Sequence, residues 1–287
     1  MTEFERSTAV GRVGPGRFAA EIDTGWGIPV GPNGGYVAAI MVRALEAHVT
    51  PGRDRRMRSL TCHYLRTPVA GRVDLDVDVV RSGRRFSTGR LTARQDGKEV
   101  LIALASFAVP DLAIAATWTP PAPDVEAAPG RDAGVVSPDD HRPQGGCWSR
   151  VDGLGTLTDR LRFAPRFGSG RPFADVGIAP GSGPQTGGWM MLEEPQPIDA
   201  AYAVLCADAW WPPAFEALPK RAVAPTIDLT IHIRADLPPD GLPDQPILGR
   251  YRSSASIGGL VEEDGELFLA DGTLLAQSRQ LALLAPL

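Results

Sequence analysis

The order of elements along the chain predicts an α+β fold in which one architecture occurs twice, and three observations carry this reading. Two stretches, residues 34–48 and the run that follows Asp199, are helical in pattern yet almost free of charge, as helices buried on every side are. Each is followed by long strand candidates with no helix between them, which argues against the parallel crossovers of an α/β sheet. Each half closes on two strands separated by an aspartate-glycine pair, Asp96-Gly97 and Asp271-Gly272, the dipeptide that a tight hairpin favours. The repeat is one of architecture rather than of letters.

Taken in order, residues 17–22 form a short strand, and Trp26, Ile28 and Pro29 lead into GPNGGYVAAIMVRAL. Asn33, Gly34 and Gly35 open a helix that runs to about His48 and carries no charge from Tyr36 to Val42. The paired glycines allow a close backbone approach, either to neighbouring elements or to a ligand. Thr50, Pro51 and Gly52 end it. Strands are expected at 57–67, 72–80, 84–95 and 98–109. The second alternates cleanly, with Val73, Leu75, Val77 and Val79 on one face and Asp74, Asp76 and Asp78 on the other, as a half-buried antiparallel strand does. Proline, aspartate and alanine then dominate to about Trp148, a composition that cannot build a core of its own. The domain boundary falls there: residues 1–110 form one domain, 111–148 a proline-rich linker and 149–287 a second domain.

In the second half a strand is expected at 157–163, then a glycine-rich loop at 166–183 and a strand at 187–192. Asp199 is the N-cap of the second apolar helical run. It is interrupted by a single charge, Asp208, and closed by Trp210, Trp211, Pro212 and Pro213. Strands follow at 223–234, 246–256, 259–269 and 274–284. An isolated carboxylate in an apolar run needs hydrogen-bonding partners or sits where its perturbed state is used, so Asp208 is a candidate functional residue.

The 287 residues carry a net charge of −5, which gives no general attraction to nucleic acid or anionic membrane. The start, MTEFERSTAV, has no apolar core and argues against a signal peptide. The most apolar stretch, 100–116, is cut by Pro110 and Asp111 and is too broken for a membrane span. Cys62, Cys147 and Cys206 show neither metal spacing nor a disulfide framework, so a cytoplasmic location is the default. The four histidines form no ligand cluster, and neither metal nor cofactor is expected.

The motifs GPNGGYVAAI, VVRSGRRFSTGRLTARQDGKEVLIALASF, CADAW, PTIDLTIHIR and DGTLLAQSRQ, in this order, resemble the TesB-like double hotdog acyl-CoA thioesterases. The resemblance spans nearly the whole chain outside the linker. It implies two curved antiparallel sheets, each wrapped around a central helix, and hydrolysis of an acyl-CoA to free acid and coenzyme A. It also implies self-association, with a homodimer of double hotdog chains expected. The family's catalytic aspartate, threonine and glutamine match Asp208 in CADAW, Thr226 in PTID and Gln280 in QSRQ.

Chemistry supports that assignment from the residues themselves. Thioester hydrolysis needs an oriented water, a proton acceptor and donors for the developing oxyanion. An aspartate, a threonine hydroxyl and a glutamine amide supply complementary acceptors and donors for one water. In the last strand Leu274, Ala276, Ser278, Gln280, Ala282 and Leu284 share a face that reads as interior, where a long amide needs a reason. In strand 223–234 the polar row Thr226, Asp228, Thr230 and His232 also reads as a solvated face, and Asp228 is a rival carboxylate. Alignment of the two aspartate-glycine turns places Ala105 where Gln280 sits, so one catalytic set per chain is expected, with the first half helping to form the cleft through Asn33, Gly34, Gly35 and Tyr36. Trp210 and Trp211 are candidates for the acyl pocket, and the arginines between Arg53 and Arg58 for the phosphates of coenzyme A. The bland readings are a structural Asp208 bonded to local backbone or to a neighbouring indole, an ordinary strand threonine at 226, glycines that serve packing only, and a solvated basic loop. At the level of function the alternatives are a non-catalytic acyl-CoA or lipid binding protein, and an enoyl-CoA hydratase or dehydratase. The second lacks the histidine it needs near either central helix.

Overall fold

The computed structural model describes residues 1–52, 54–110, 112, 116–136, 146–151, 154–178 and 182–287. Its first half contains α1 (Glu3–Ser7), β1 (Gly11–Gly14), β2 (Arg17–Ile22), the short ribbon β3 (Gly27–Ile28) and β4 (Gly31–Pro32), and α2 (Gly34–Val49). These are followed by β5 (Arg56–Tyr64), β6 (Gly71–Ser82), β7 (Phe86–Gln95) and β8 (Lys98–Ala108). Two short strands, β9 (Val135–Val136) and β10 (Trp148–Ser149), precede β11 (Leu161–Phe167), β12 (Gln185–Leu192) and α3 (Ala200–Cys206). The remainder comprises β13 (Ala222–Val223), β14 (Thr226–Ile233), β15 (Ile247–Arg252), β16 (Ser256–Ile257), β17 (Leu260–Leu269), β18 (Leu274–Leu283) and β19 (Ala285–Pro286).

The expected pair of sheets is realised as one. Among the described residues the path runs β1-β2-β6-β7-β8-β5-β14-β18-β17-β15-β12-β11-β10-β9, with β5 and β14 paired antiparallel from Asp228↔His63 to His232↔Ser59. Read outward from that junction, each half presents the strand after its helix, then its last, third and second strands, then the strand before its helix. The duplicated order in the sequence is therefore a duplicated order in space.

The two apolar helices pack against one another in the core. Every residue of α2 from Gly35 to Val42 is buried, as is every residue of α3. At roughly 1.5–3 kcal/mol for each large aliphatic side chain removed from water, this central layer is a principal source of stability. Gly35 sets the approach. A Cβ there would lie 2.9 Å from the carbonyl oxygen of Leu205 and 2.9 Å from Cβ of Asp208. Arg43 of α2 pairs with Asp199, the N-cap of α3, at 2.6 Å.

Several expectations change at this level. The apolar run after Asp199 is helical only to Cys206, so Asp208 stands just beyond α3 rather than within it. A continued helix would bring the ring of Pro212 against the carbonyl of Asp208. Residues 156–159 are a 3-10 turn, and the strand expected at 157–163 begins at Leu161. A break in the ladder between Leu267 and Phe268 moves Leu274 off the face of Gln280 and into a separate cluster with Trp148, Trp189 and Phe268. Linker residues Ala122, Val125, Ala128 and Ala133 cover that cluster. These residues thus help to complete a core of the second half.

Candidate active site

Asn33 caps α2, its Oδ1 accepting from Tyr36 N at 2.8 Å. Its Nδ2 donates to the backbone oxygen of Asp208 at 2.8 Å and to Oδ2 of Asp208 at 3.2 Å. Gly35 N donates to the same carboxylate oxygen at 2.7 Å. The carboxylate therefore sits on the N-terminus of α2, where free N–H groups and the helix dipole favour negative charge. Gly34 completes the fit, since a Cβ there would lie 2.8 Å from Oδ2 of Asp208. Of the glycine pair that reads in sequence as a close approach, Gly34 is thus required by this carboxylate and Gly35 by the approach of the α3 backbone. Burial pushes the Asp208 carboxyl up to about 6, against the opposing hydrogen bonds from Gly35, Gln280 and Asn33. Its remaining exposure is to the cavity beside it.

Thr226 and Gln280 reach the same place from adjacent strands. Thr226 Oγ1 donates to Gln280 Oε1 at 3.0 Å, and Gln280 is 7% exposed. The rows of β14 do not simply alternate, because a bulge between Thr226 and Asp228 sets two steps of β14 against one step of β18. Bulges re-aim side chains. Here Thr226 and the exposed Ile227 both border the cavity, while Asp228, Thr230 and His232 keep the other face. Asp228, the rival carboxylate, does not border the cavity.

The cavity beside these residues measures about 380 Å³. Asp208, Thr226, Gln280, Asn33 and Gly34 border it, as do Trp210, Trp211, Phe163, Phe173 and Phe215. The indole N–H groups bond elsewhere than Asp208: Trp210 Nε1 donates to Thr186 Oγ1 at 2.8 Å and Trp211 Nε1 to the buried Glu216 at 3.1 Å. Glu216 also accepts from Ser169 N at 2.8 Å, which ties the glycine-rich loop down so that Phe173 stacks on Phe215 at 4.7 Å.

Two sequence candidates are placed elsewhere. Tyr36 is fully buried, stacks on Trp26 at 5.3 Å and donates from its hydroxyl to Ser7 O, so it serves the core and does not line the cavity. Its sequence neighbours face the cleft, but the helical rotation carries it away. Arg53 lies outside the described residues. Arg55 donates to Gly83 O, Arg56 pairs with Asp54 and Arg58 pairs with Asp236 at 2.8 Å, none of them at the cavity. Arg66 and Arg221, both exposed, border it instead.

Sequence reasoning missed Glu263 and Tyr64. Tyr64 donates to Gly34 O at 2.7 Å, bracing the start of α2. Glu263, 7% exposed, accepts from Gln280 Nε2 at 3.0 Å. Its signal was present in β17, where Val261, Glu263, Gly265, Leu267 and Leu269 alternate as an inward row with one carboxylate in it. Burial first, then the charge of Asp208, hold its carboxyl well above the usual range.

Residues 22–108 match the family profile of the acyl-CoA thioesterase N-terminal domain, and residues 132–284 that of the acyl-CoA thioesterase C-terminal domain. The chain belongs to the acyl-CoA thioesterase family. It is a thioester hydrolase, built from both of that family's domains in order. Among curated proteins none matches it by sequence. Solved structures share its fold over the full length. A conserved protein of unknown function with hot dog fold from Alicyclobacillus acidocaldarius aligns with TM-score 0.81 and 24% identity, over 100% of both chains. An acyl-CoA thioesterase II, TesB2, from Mycobacterium marinum aligns with TM-score 0.70 and 19% identity, over 99% of this chain and 98% of the other. The TesB protein of Mycobacterium avium subs paratuberculosis aligns with TM-score 0.70 and 20% identity, over 99% of each. Among the described residues no helix is long and apolar enough to cross a membrane.

Proposed function

We propose that this acyl-CoA thioesterase hydrolyses its substrate through a water held by Asp208, Thr226 and Gln280. The observation that supports it best is the convergence of these three side chains, from three separated stretches of sequence, on one apolar cavity. Asp208 is the proton acceptor. Its raised but still acidic range leaves it ionised at neutral pH and basic enough to take a proton from water. Thr226 and Gln280 fix the water, and Gly34 N–H, one of the unpaired donors at the start of α2, meets the carbonyl oxygen. Attack forms the tetrahedral adduct as Asp208 takes the water's proton. Collapse expels the coenzyme A thiolate, a good leaving group that asks for no strong acid.

The acyl chain lies among Trp210, Trp211, Phe163 and Phe215, and the exposed Arg66 and Arg221 meet the phosphates of coenzyme A in this reading. Asn33 and Gly35 act by holding Asp208 rather than by touching substrate. The domain limits 1–110 and 149–287, the wrapping of each half's strands about its own helix, self-association as a dimer and a cytoplasmic location belong to the same proposal. Hydrolysis of a panel of acyl-CoA thioesters by the purified chain tests it. Turnover that peaks at one chain length is expected. Saturable acyl-CoA binding with no turnover at any length would instead favour a binding protein.

A further inference from the structure

Glu263 borders the same cavity as the three residues just described and is tied to Thr226 through the amide of Gln280. It lies directly across the β17–β18 ladder from Gln280, whose Nε2 donates to it at 3.0 Å. Gln280 accepts from Thr226 at its oxygen, and its amide helps to lower the Asp208 carboxyl against burial. A glutamine amide offers one oxygen and two N–H donors, and here Thr226 takes the oxygen while Glu263 takes a donor. Turned over, the same amide would aim its oxygen at two carboxyl groups and its N–H groups at a hydroxyl. Glu263 therefore holds the Gln280 amide at its nitrogen, opposite the oxygen held by Thr226.

The charged groups that act on Glu263 are all acidic: Asp208 from the segment after α3, and Glu262 and Asp264 on its own strand. Tyr251 of β15, whose hydroxyl donates to Cys206 O, is near enough for its charge and that of Glu263 to oppose one another. Glu262 and Asp264 have their own partner in Arg279, at 3.6 and 3.4 Å. A second buried negative charge beside Asp208 is unfavourable both by desolvation and by repulsion. A neutral carboxylic acid keeps a carbonyl oxygen to accept from Gln280.

We propose that Glu263 is a positioning residue that, held as a neutral acid, fixes the Gln280 amide against Thr226 and Asp208 and keeps a second negative charge out of the reacting centre. Two carboxyl groups driven apart in this way divide the tasks between them, one ionised and one protonated. The kinetic consequences rest on the thioesterase reading of the site; the protonation of Glu263 and the order of Gln280 do not.

The full-length chain with Glu263→Gln and Glu263→Ala tests the proposal. Without substrate, the infrared difference between wild type and Glu263→Gln at pH 7 is expected to show loss of a carboxylic-acid C=O band; loss of a carboxylate band would overturn it. The side-chain amide protons of Gln280 are expected to be protected from exchange in wild type and Glu263→Gln and to exchange rapidly in Glu263→Ala; equal protection in all three would overturn it. In hydrolysis, Glu263→Gln, whose amide oxygen still accepts from Gln280, is expected within about threefold of wild-type kcat, with the alkaline limb of the pH profile moved upward. Glu263→Ala leaves a buried donor unpaired and is expected to lower kcat roughly tenfold to a hundredfold with little change in KM. An alanine variant as active as wild type, or a glutamine variant as impaired as alanine, sinks the assignment. A wild type that hydrolyses no thioester sinks the functional reading instead, and the two substrate-free measurements still decide the state of Glu263.

Discussion

Asp208 is ionised at neutral pH where burial opposes ionisation, and the donors from Asn33, Gly35 and Gln280 only partly offset that opposition. Its folded value, about 6, lies above the ordinary 3.8, so the folded state binds this proton more tightly than the unfolded chain does. The resulting loss of stability is absent below the ordinary value, grows as pH rises between the two, and is complete above about 6. At 1.36 kcal/mol per unit this is about 3 kcal/mol, reduced somewhat by the exposure of the carboxylate to the cavity. Asp208→Asn removes the titration. Relative to wild type, its stability by urea unfolding is expected to improve by about 2–3 kcal/mol between pH 4 and pH 8, whatever constant penalty the lost acceptor imposes. A difference that does not vary with pH would contradict the assigned environment. The sequence made Asp208 visible because a charge interrupts an apolar run. It left Glu263 hidden because LVEEDGELFL holds four acidic residues, and only the strand parity singles out the one that faces inward.

At the scale of elements, the site depends on how closely the end of α3 approaches the start of α2. Gly35→Ala puts a methyl group where Cβ of Asp208 and the carbonyl of Leu205 already lie 2.9 Å away, and the carbonyl belongs to backbone that cannot turn aside. By helix propensity alone alanine would be favoured by up to about 1 kcal/mol at a helical position. Overpacking reverses the sign, and Gly35→Ala is expected to destabilise the chain by about 1–3 kcal/mol in denaturant unfolding and to lower turnover by displacing the Gly35 N–H from Asp208. A variant more stable than wild type would refute the close approach. The GPNGG motif made a close approach legible, but not which residue it admits. Likewise, the polar row of β14 concealed Thr226, because a bulge at Ile227 that no local signal announces turns it from the row in which period two places it. Tyr36 failed as a site candidate for the opposite reason. Helical rotation directs it into the stack with Trp26, although its sequence neighbours face the cleft.

Across the whole molecule, the β5–β14 junction makes one sheet of two halves and brings Asn33 and Gly35 of the first half to Asp208 of the second. The duplicated order was legible from two charge-poor helices and two aspartate-glycine turns. The junction was not, since strand edges carry no mark of their partner in a single sequence and its pairing spans well over a hundred residues. Ala105, aligned with Gln280 by the two turns, is buried in the first half. One measurement bears most directly on the claim that these halves complete a thioesterase site with Asp208 as its base: kcat/KM for acyl-CoA hydrolysis across pH 5–8 in wild type and Asp208→Asn. Wild-type activity is expected to rise with pH through about 6 and level off, with Asp208→Asn lower by at least about a hundredfold at every pH. Activity in the variant equal to wild type, or a wild-type profile with no inflection near 6, would contradict it.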